Sequence, residues 1–314
     1  MRTVAICLSD LHLWHQPPSA RAGEKNWQSA MARPLAEVND LVRQHRVPVL
    51  FAGDLTERYN PNPGLINFAI QHLPVMHSVF GQHDLRNHES AALKETAYYT
   101  LMQAGKLVNV KPGRPVEVPG APMPLQLWGF PWGAEVKPCK KPLSFGLDVA
   151  LIHKYTWRRG CGYDGAPVEA RTGKLTNALR GYDVAVVGDN HLPFECMVGS
   201  TYVFNCGSVL RRTRAEKDHR PSVGLLMHDS ERGAWVERHY LDCSADVLDD
   251  AADLASLAPD NKVDGAAFLE SLAALGDAAV DFGAALRRRL ADGDEPAGVR
   301  DLVLKALEEQ GDKR

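Results

Sequence analysis

The sequence VAICLSDLH, residues 4–12, joins a short apolar run to an Asp–x–His triplet. The same arrangement returns in VLFAGDLTE at residues 49–57 and in VMHSVFGQHD at residues 75–84, where apolar residues again lead into an acid or a histidine. Apolar runs of about four to eight residues that end at turn residues are typical of buried strands. These segments therefore predict a sheet whose strands end in side chains that can bind a metal ion.

Five strand-like runs end in this way. The residues at their ends are Asp10-Leu11-His12, Gly53-Asp54, Gly81-Gln82-His83-Asp84, His153 and Gly188-Asp189-Asn190-His191. In open α/β sheets the carboxyl ends of the strands share one edge, and ligands bind at that edge. Although a single Gly–Asp pair usually marks only a turn, five such endings in order predict that these side chains converge on one site.

Further apolar runs complete the predicted strands, at residues 125–130, 148–152, 183–187, 201–205, 223–227 and 234–240. Helical spacing runs from Trp27 to Val42, and shorter helices are predicted near residues 65–73 and 96–103. Strand–helix alternation followed by a strand-rich half predicts an α/β fold, a layered sandwich flanked by helices over residues 1–242. Residues 111–124 contain five prolines and are predicted to form a loop.

The character of the chain changes at residue 243, where Ala, Leu and Asp become dominant. An apolar stripe from Phe268 to Leu290 predicts a small helical appendage over residues 243–314, which either caps the chain's own core or binds a partner. This segment holds 16 acids against 8 lysines and arginines, whereas all 12 histidines lie in residues 1–242. Two interpretations stay open: residues 1–242 are an ordinary globular body followed by an acidic tail, or their more positive charge serves to bind an anionic substrate.

The composition is that of an ordinary globular protein, with 45% hydrophobic and 24% charged residues. No apolar stretch approaches the roughly 20 residues that a membrane-spanning helix needs. The N-terminal residues have the pattern of a first strand rather than of a signal peptide. We therefore expect a cytoplasmic protein with no membrane association.

The ordered motifs DxH, GDxxE, GQHD, His and GDNH resemble those of the calcineurin-like metallophosphoesterases over roughly residues 3–210. The resemblance implies a hydrolase with a two-metal site on a β-sandwich flanked by helices. It implies a first metal held by Asp10, His12 and His191, a second held by Gln82, His153 and Asp189, and a bridge formed by Asp54. It further implies that a hydroxide bridging the metals is the nucleophile, that His83 is the general acid, and that Asp84 orients His83.

This chemistry suits a phosphodiester. Two cations about 3.5–4 Å apart neutralise the anionic ester, stabilise the attacking and leaving oxygens, and lower the pKa of a shared water. General-acid help to the leaving group typically adds about 10²–10⁴-fold to the rate.

Two residues depart from the family's usual pattern. Gln82 stands where asparagine is usual, and Asp189 stands where histidine is usual. Both keep an oxygen ligand, so we expect two divalent ions with Mn²⁺ preferred and Mg²⁺, Fe²⁺ or Zn²⁺ as alternatives. A degraded, inactive site is the competing interpretation. Glu57 falls at the family's acidic position, where it either supports a ligand or simply begins a helix.

Basic and aromatic residues follow two of the strand ends, in KYTWRRG at residues 154–160 and in the arginines after residue 210. Cations neutralise phosphates and aromatic rings stack on bases, so these loops suit a nucleic-acid strand, although they are also ordinary surface sequence. The candidate substrate-binding residues are Lys154, Tyr155, Trp157, Arg158, Arg159, Arg211 and Arg212.

The motifs GQHDLRNH, GDNH and Asn-Cys-Gly-Ser-x-x-Arg are most similar to the SbcD-like DNA repair exonucleases, especially the compact phage-type members. This resemblance implies DNA as the substrate and an SMC-like ATPase or a second copy of the chain as partner. Three functions stay open: a metal-dependent DNA nuclease, a phosphoesterase for a small nucleotide or cyclic nucleotide, and a non-catalytic scaffold of the same fold. The intact His83-Asp84 pair argues against the scaffold.

Overall fold

The computed structural model of the protein describes residues 1–248, apart from residues 141, 144, 164, 214 and 215. In chain order the strands of this part are β1 (Arg2–Leu8), β2 (Val49–Phe51), β3 (Met76–Ser78), β4 (Leu107–Asn109), β5 (Val116–Glu117), β6 (Leu125–Phe130), β7 (Leu147–His153), β8 (Val184–Gly188), β9 (Phe194–Val198), β10 (Thr201–Asn205), β11 (Ser222–Asp229) and β12 (Gly233–Tyr240). The helices are α1 (Trp27–His45), α2 (Pro63–His72) and α3 (Ala97–Gln103). Short 3-10 turns cover Ser19–Arg21, Arg86–His88, Ser90–Glu95, Val168–Ala170 and Thr172–Leu175.

The strands form two six-stranded sheets, in the orders β12-β11-β1-β2-β3-β4 and β5-β6-β7-β8-β10-β9. Strands β1 to β4 are parallel, and so are β6, β7, β8 and β10. Their carboxyl ends therefore share one edge within each sheet. Hydrogen bonds from His153 Nδ1 to Ala52 O (2.6 Å) and from Trp132 N to Phe80 O (3.1 Å) show that the two edges meet. The predicted layered α/β sandwich is confirmed.

The apolar runs of the sequence all form strands, and the three predicted helices are present. Strands β4, β5 and β9 were not predicted. β5 is a two-residue strand at the edge of the second sheet, within the proline-rich segment that the sequence predicts to be a loop. Proline is tolerated at a sheet edge because an edge strand needs fewer backbone donors.

Helix α1 illustrates how the sequence builds the flanking layer. It begins where the Asn26 side chain accepts a hydrogen bond from Ser29 N, and it ends at Arg46, which takes the left-handed conformation. Met31, Leu35 and Val38 form its buried stripe and belong to the same apolar core as β1 and β2. The stripe therefore fixes the helix against the first sheet, on which the predicted site is built.

The segment after β12 is tied to the body by Asp246. Its carboxylate forms ion pairs with Arg21 (2.9 Å), Arg33 (2.9 Å) and Arg211 (3.0 Å). Arg21 is almost fully buried, so this is an internal ion cluster rather than a surface pair. The apolar stripe predicted from Phe268 to Leu290, and the rest of the predicted appendage beyond residue 248, lie outside the described residues. None of the helices within the described ranges has the length and hydropathy needed to cross a bilayer.

Candidate metal centre

The seven predicted metal ligands lie together at the shared carboxyl edge of the two sheets. Contacts of 4.0 Å or less connect Asp10, His12, Asp54, Gln82, His153, Asp189 and His191. Within this group two triads place one ligand atom of each member within 4.8 Å of the others, Asp10–His12–His191 and Asp10–Asp54–His153. The topology therefore brings together the side chains that the strand ends predicted.

The backbone is held in an uncommon conformation at four of these positions. Asp10 (φ 53°), His12 (φ 43°), Asp54 (φ 57°) and Asp189 (φ 85°) all lie at positive φ. Residues other than glycine take such angles rarely, and they concentrate at functional sites where the surrounding structure imposes them. The positive φ angles at these four turns indicate that the surrounding structure, rather than the local backbone preference, sets the direction of the side chains.

The first half of the centre is formed by His12 and His191. His12 Nδ1 donates to Glu57 Oε2 (3.1 Å), and His191 Nδ1 donates to Glu216 Oε1 (3.0 Å). The two Nε2 atoms face each other at 3.0 Å, so both are acceptors when the rings are neutral. Two facing acceptors need a proton or a metal ion between them, and carboxylate-backed histidines of this kind are typical metal ligands.

The second half is formed by His153, Gln82 and Asp189. Because His153 Nδ1 donates to Ala52 O, the ring presents Nε2 to Gln82 Oε1 at 2.7 Å and to Asp54 Oδ2 at 3.4 Å. Both of those oxygens are acceptors. The Gln82 amide in turn donates from Nε2 to Asp189 Oδ1 (2.7 Å), which fixes its carbonyl oxygen toward His153. Here too acceptors converge on a position that a cation can fill.

Asp54 lies between the two halves. Its Oδ2 is 3.6 Å from His12 Nε2 and 3.4 Å from His153 Nε2, while its Oδ1 accepts from His83 N (3.0 Å). Oδ2 is buried, and within the described ranges no hydrogen bond satisfies it. A buried carboxylate oxygen without a donor is costly, so this atom calls for a cation. The donor set therefore fits divalent cations, and Asp54 lies where its carboxylate can reach both halves of the centre.

Glycines make the close approach to Asp54 feasible. A Cβ on Gly81 would come within 2.0 Å of Asp54 Oδ1, and a Cβ on Gly53 would come within 2.3 Å of His153 Nδ1. Gly53 also has φ of 94°, which favours glycine. The two glycines of the Gly-Asp and Gly-Gln-His-Asp motifs are thus required by the packing of the ligands themselves.

Burial and mutual charges shift the pKa values of these groups. Burial lowers the pKa of His12 to about 4. Burial also opposes the charge of His153, but the neighbouring Asp54 carboxylate outweighs it and raises the pKa of His153 to about 10. Burial would raise the pKa of Asp54, yet the charge of His153 holds it below its ordinary value. In the absence of metal, a proton on His153 thus supplies the positive charge that the acceptors require.

His83 lies beside the candidate metal ligands. Its Nδ1 donates to the backbone oxygen of Glu57 (2.8 Å), and its ring packs edge-on against His12 with centroids 4.7 Å apart. About a third of the side chain is exposed, 36%. The hydrogen bond to Glu57 leaves Nε2 as the nitrogen that can carry a proton to a substrate.

The predicted role of Asp84 is corrected by the structure. Asp84 accepts hydrogen bonds from Leu55 N and Thr56 N through Oδ1 and from Gly81 N through Oδ2. These backbone donors occupy the carboxylate, and the backbone oxygen of Glu57, not Asp84, orients the His83 ring. Asp84 instead fastens the turn that carries Asp54 to the turn that carries Gln82 and His83.

Glu57, Glu216 and Arg212 contact the candidate ligands or each other on the side of the rings away from the centre. Glu57 Oε2 contacts both His12 Nδ1 and Arg212 Nη1 (2.7 Å). Of the two interpretations of Glu57, support of a candidate ligand therefore fits the structure better than the start of a helix. Glu57 also forms a group with His12 and His83 that could hold an ion. We assign that group to hydrogen bonding, because Arg212 already neutralises Glu57. Glu216 was missed by the sequence analysis, since nothing in its loop sequence marks it.

Five of the seven candidate substrate residues are at least partly exposed, and none of their contacts within the described part of the chain excludes the predicted role. Lys154, Arg158 and Arg159 are exposed and Tyr155 is half-buried, on the loop that follows the candidate ligand His153. Arg158 and Arg159 line a shallow cleft of about 370 Å³ together with Arg171 and Lys174. Arg212 is half-buried beside Glu57.

Two of the candidate substrate residues are unsuited to that role. Trp157 is only 8% exposed, its Nε1 donates to Pro167 O, and the Arg171 guanidinium covers its ring, so it cannot stack on a base. Arg211 is committed to Asp246 and to the backbone oxygen of Cys243. The prediction that Trp157 stacks on a base is therefore wrong, whereas Arg211 ties the segment after β12 to the body.

No protein-family model matches the sequence, and no curated protein matches it. Among solved structures, one similar protein comes from Staphylococcus aureus and is described provisionally as a 5′-nucleotidase (13% identity, TM-score 0.48, covering 79% of this chain and 55% of that one). Another is the sulfate thiohydrolase SoxB of Thermus thermophilus (13% identity, TM-score 0.44, covering 81% and 59%). A third is the calcineurin-like phosphoesterase YfkN of Bacillus subtilis (11% identity, TM-score 0.46, covering 81% and 95%).

The chain spans 55% and 59% of the length of the first two of these proteins. Similarity at this level does not carry an activity or a substrate from one protein to another. What the chain does has to follow from the chemistry of its own side chains.

Proposed function

We propose that this chain is a two-metal-dependent phosphodiesterase of the calcineurin-like type, with DNA as its substrate. The observation that carries the proposal is Asp54 Oδ2, a buried carboxylate oxygen placed between His12 Nε2 and His153 Nε2. A carboxylate in that position can bridge two ions, and paired ions suit the hydrolysis of anionic phosphate esters. The oxygen-rich donor set of Asp10, Asp54, Gln82 and Asp189 favours Mn²⁺ or Mg²⁺ over Zn²⁺.

The division of work follows from the geometry. When bound, the two ions would neutralise the phosphate charge and make a water acidic enough to act as the nucleophile near neutral pH. Asp10, His12 and His191 would hold one ion, while Gln82, His153 and Asp189 would hold the other. His83 would donate a proton from Nε2 to the leaving oxygen, because Glu57 O fixes its Nδ1 and its side chain is partly open to solvent.

The choice of DNA rests on the cations around the edge of the site. Arg158, Arg159 and Lys174 are exposed and line one cleft, on the loops that follow the end of β7. A row of cations in a groove on the chain segment that follows His153 suits a polyanionic strand better than a single small phosphate. This is the feature that favours an SbcD-like nuclease over a phosphoesterase for small nucleotides.

The test is hydrolysis by protein stripped of metal with a chelator and reloaded with Mn²⁺. It compares labelled single-stranded and double-stranded DNA with a bis-aryl phosphodiester and an aryl phosphomonoester. His83→Ala removes the proposed acid, and His45→Ala, at the end of α1, is the matched control. We expect DNA cleavage that is lost in His83→Ala and kept in His45→Ala.

Other outcomes decide between the alternatives. Turnover of the small esters without cleavage of DNA would replace the nuclease with a phosphoesterase for small nucleotides. No turnover with any divalent metal would support the non-catalytic scaffold, with Gln82 and Asp189 as the changes that abolished activity.

A further inference from the structure

An aromatic cavity lies at the carboxyl end of β6, next to the candidate metal centre. It is open to solvent on one side and has a volume of about 820 Å³, and the rings that line it belong to Phe80, His88, Trp128, Phe130, Trp132 and Tyr182. Pockets that bind small molecules are typically about 300–1,000 Å³ and mostly apolar, with a few polar groups that fix orientation. We refer to this cavity as the aromatic pocket.

The walls of the aromatic pocket are fixed by hydrogen bonds and ring contacts. Trp128 Nε1 donates to Asp148 Oδ1 (2.9 Å), and the Tyr182 hydroxyl donates to Lys137 O (2.9 Å). The Tyr182 ring packs edge-to-face against Trp128 and Phe130, with centroids 6.2 and 6.3 Å apart. Trp128 and Trp132 are half-buried, so part of each indole stays open to the cavity. A flat ring that enters would meet walls that need little ordering.

One wall of the aromatic pocket is close to the candidate metal centre along the chain. Trp132 N donates to Phe80 O, and Phe80 is followed directly by Gly81, Gln82 and His83. Three residues span at most about 11 Å between their Cα atoms, so the wall of the pocket and the proposed acid are near neighbours. A group bound in the pocket would therefore lie beside a phosphate held at the centre.

Charge at the rim points to the kind of ligand. Lys137 and Lys140 line the cavity and are exposed, whereas Glu135 is the one acid among the lining residues that the structure describes. Glu135 is paired with Lys137 at 3.3 Å, which leaves the rim with a net positive charge. Fixed aromatic walls with a cationic rim suit a flat ring that is attached to a phosphate.

We propose that the aromatic pocket binds a nucleobase of the substrate, on the nucleotide next to the phosphate under attack. The proposal rests on the proposed function and deepens it, because it assigns a binding place to one base of the proposed nucleic-acid substrate. A base has two apolar faces for stacking and edge groups that Glu135 and the backbone can bind. An alkyl chain would use neither the flat walls nor the lysines.

The test measures binding of deoxyadenosine and of 2-deoxyribose to the full-length protein by ligand-observed NMR. We expect deoxyadenosine to bind at least about tenfold more tightly than the sugar, as base stacking on aromatic side chains allows. Trp132→Ala should reduce that preference to near one, and Trp132→Phe should restore most of it. Tyr240→Ala, which removes an exposed ring on β12, should leave it unchanged.

A wild-type protein that binds both ligands equally would overturn the proposal, and so would a Trp132→Ala variant that keeps the preference. If Trp132→Ala does not fold, quenching of the wild-type tryptophan fluorescence decides: deoxyadenosine should quench it and deoxyribose should not. Neither ligand carries a phosphate, so these results are independent of hydrolysis. Loss of base binding with intact hydrolysis and loss of hydrolysis with intact base binding are thus separate outcomes.

Discussion

Replacing Glu216 should weaken one metal site and leave the other intact. Glu216 Oε1 accepts from His191 Nδ1 at 3.0 Å, and Oε2 accepts from Arg212 N and Thr213 N. Glu216→Ala removes the acceptor that fixes the His191 tautomer and aims its Nε2 at the centre. Loss of such a supporting carboxylate typically lowers metal affinity about 10- to 100-fold, or about 1.4–2.7 kcal/mol. His153 does not depend on Glu216, because Ala52 O holds its Nδ1.

The assay is calorimetric titration of the metal-free protein with Mn²⁺, which resolves two binding steps when their affinities differ. We expect one step to weaken in Glu216→Ala, and a smaller change in Glu216→Gln, whose carbonyl oxygen can still accept from His191. Glu231→Ala, at the exposed turn between β11 and β12, is the matched control. Equal weakening of both steps, or no change in either, would refute the assignment of Glu216 to His191.

Three further predictions concern the acid, the protons and the cations. His83→Gln should lower turnover by about 10²-fold or more while the metal content stays at the wild-type value, and loss of metal would make His83 a ligand. Metal binding at pH 7 should release a proton from His153, whose pKa lies near 10, so affinity should rise about tenfold per pH unit and the binding enthalpy should depend on the buffer. A binding enthalpy that is the same in all buffers contradicts this. Arg158→Ala combined with Arg159→Ala should weaken DNA binding and reduce its dependence on salt by about two phosphate contacts, and an unchanged salt slope would remove these residues from the DNA path.

The strand ends could be predicted because two independent signals coincide there. A buried parallel strand leaves an apolar run in the sequence, and the turn after it leaves a glycine next to a polar residue. Gly53-Asp54 and Gly81-Gln82 carry both signals, and the structure shows why the glycine is needed at each. Strand β5 left no such signal, because a two-residue edge strand buries too little apolar surface to leave a pattern.

The supporting residues could not be predicted, because their partners are distant in the sequence. Glu216 contacts His191 across 25 residues, and Arg211 contacts Asp246 across 35. Trp157 lies in a loop whose basic and aromatic residues are typical of base stacking. Only the three-dimensional fold of that loop shows that Pro167 and Arg171 enclose the Trp157 ring. Sequence patterns report which elements form and where they end, but not which way a loop side chain turns.

The central claim is a pair of metal ions bridged by Asp54, and metal stoichiometry in Asp54→Asn tests it most directly. Asparagine keeps the size of the side chain and can keep the oxygen that accepts from His83 N. It then places an amide nitrogen, which is a donor, where both ions need an acceptor. The measurement is manganese bound per chain after dialysis, with circular dichroism to confirm that the variant is folded. We predict two ions per chain in the wild-type protein and loss of both in Asp54→Asn. Two ions retained at wild-type affinity in the folded variant would contradict the bridge and the function proposed from it.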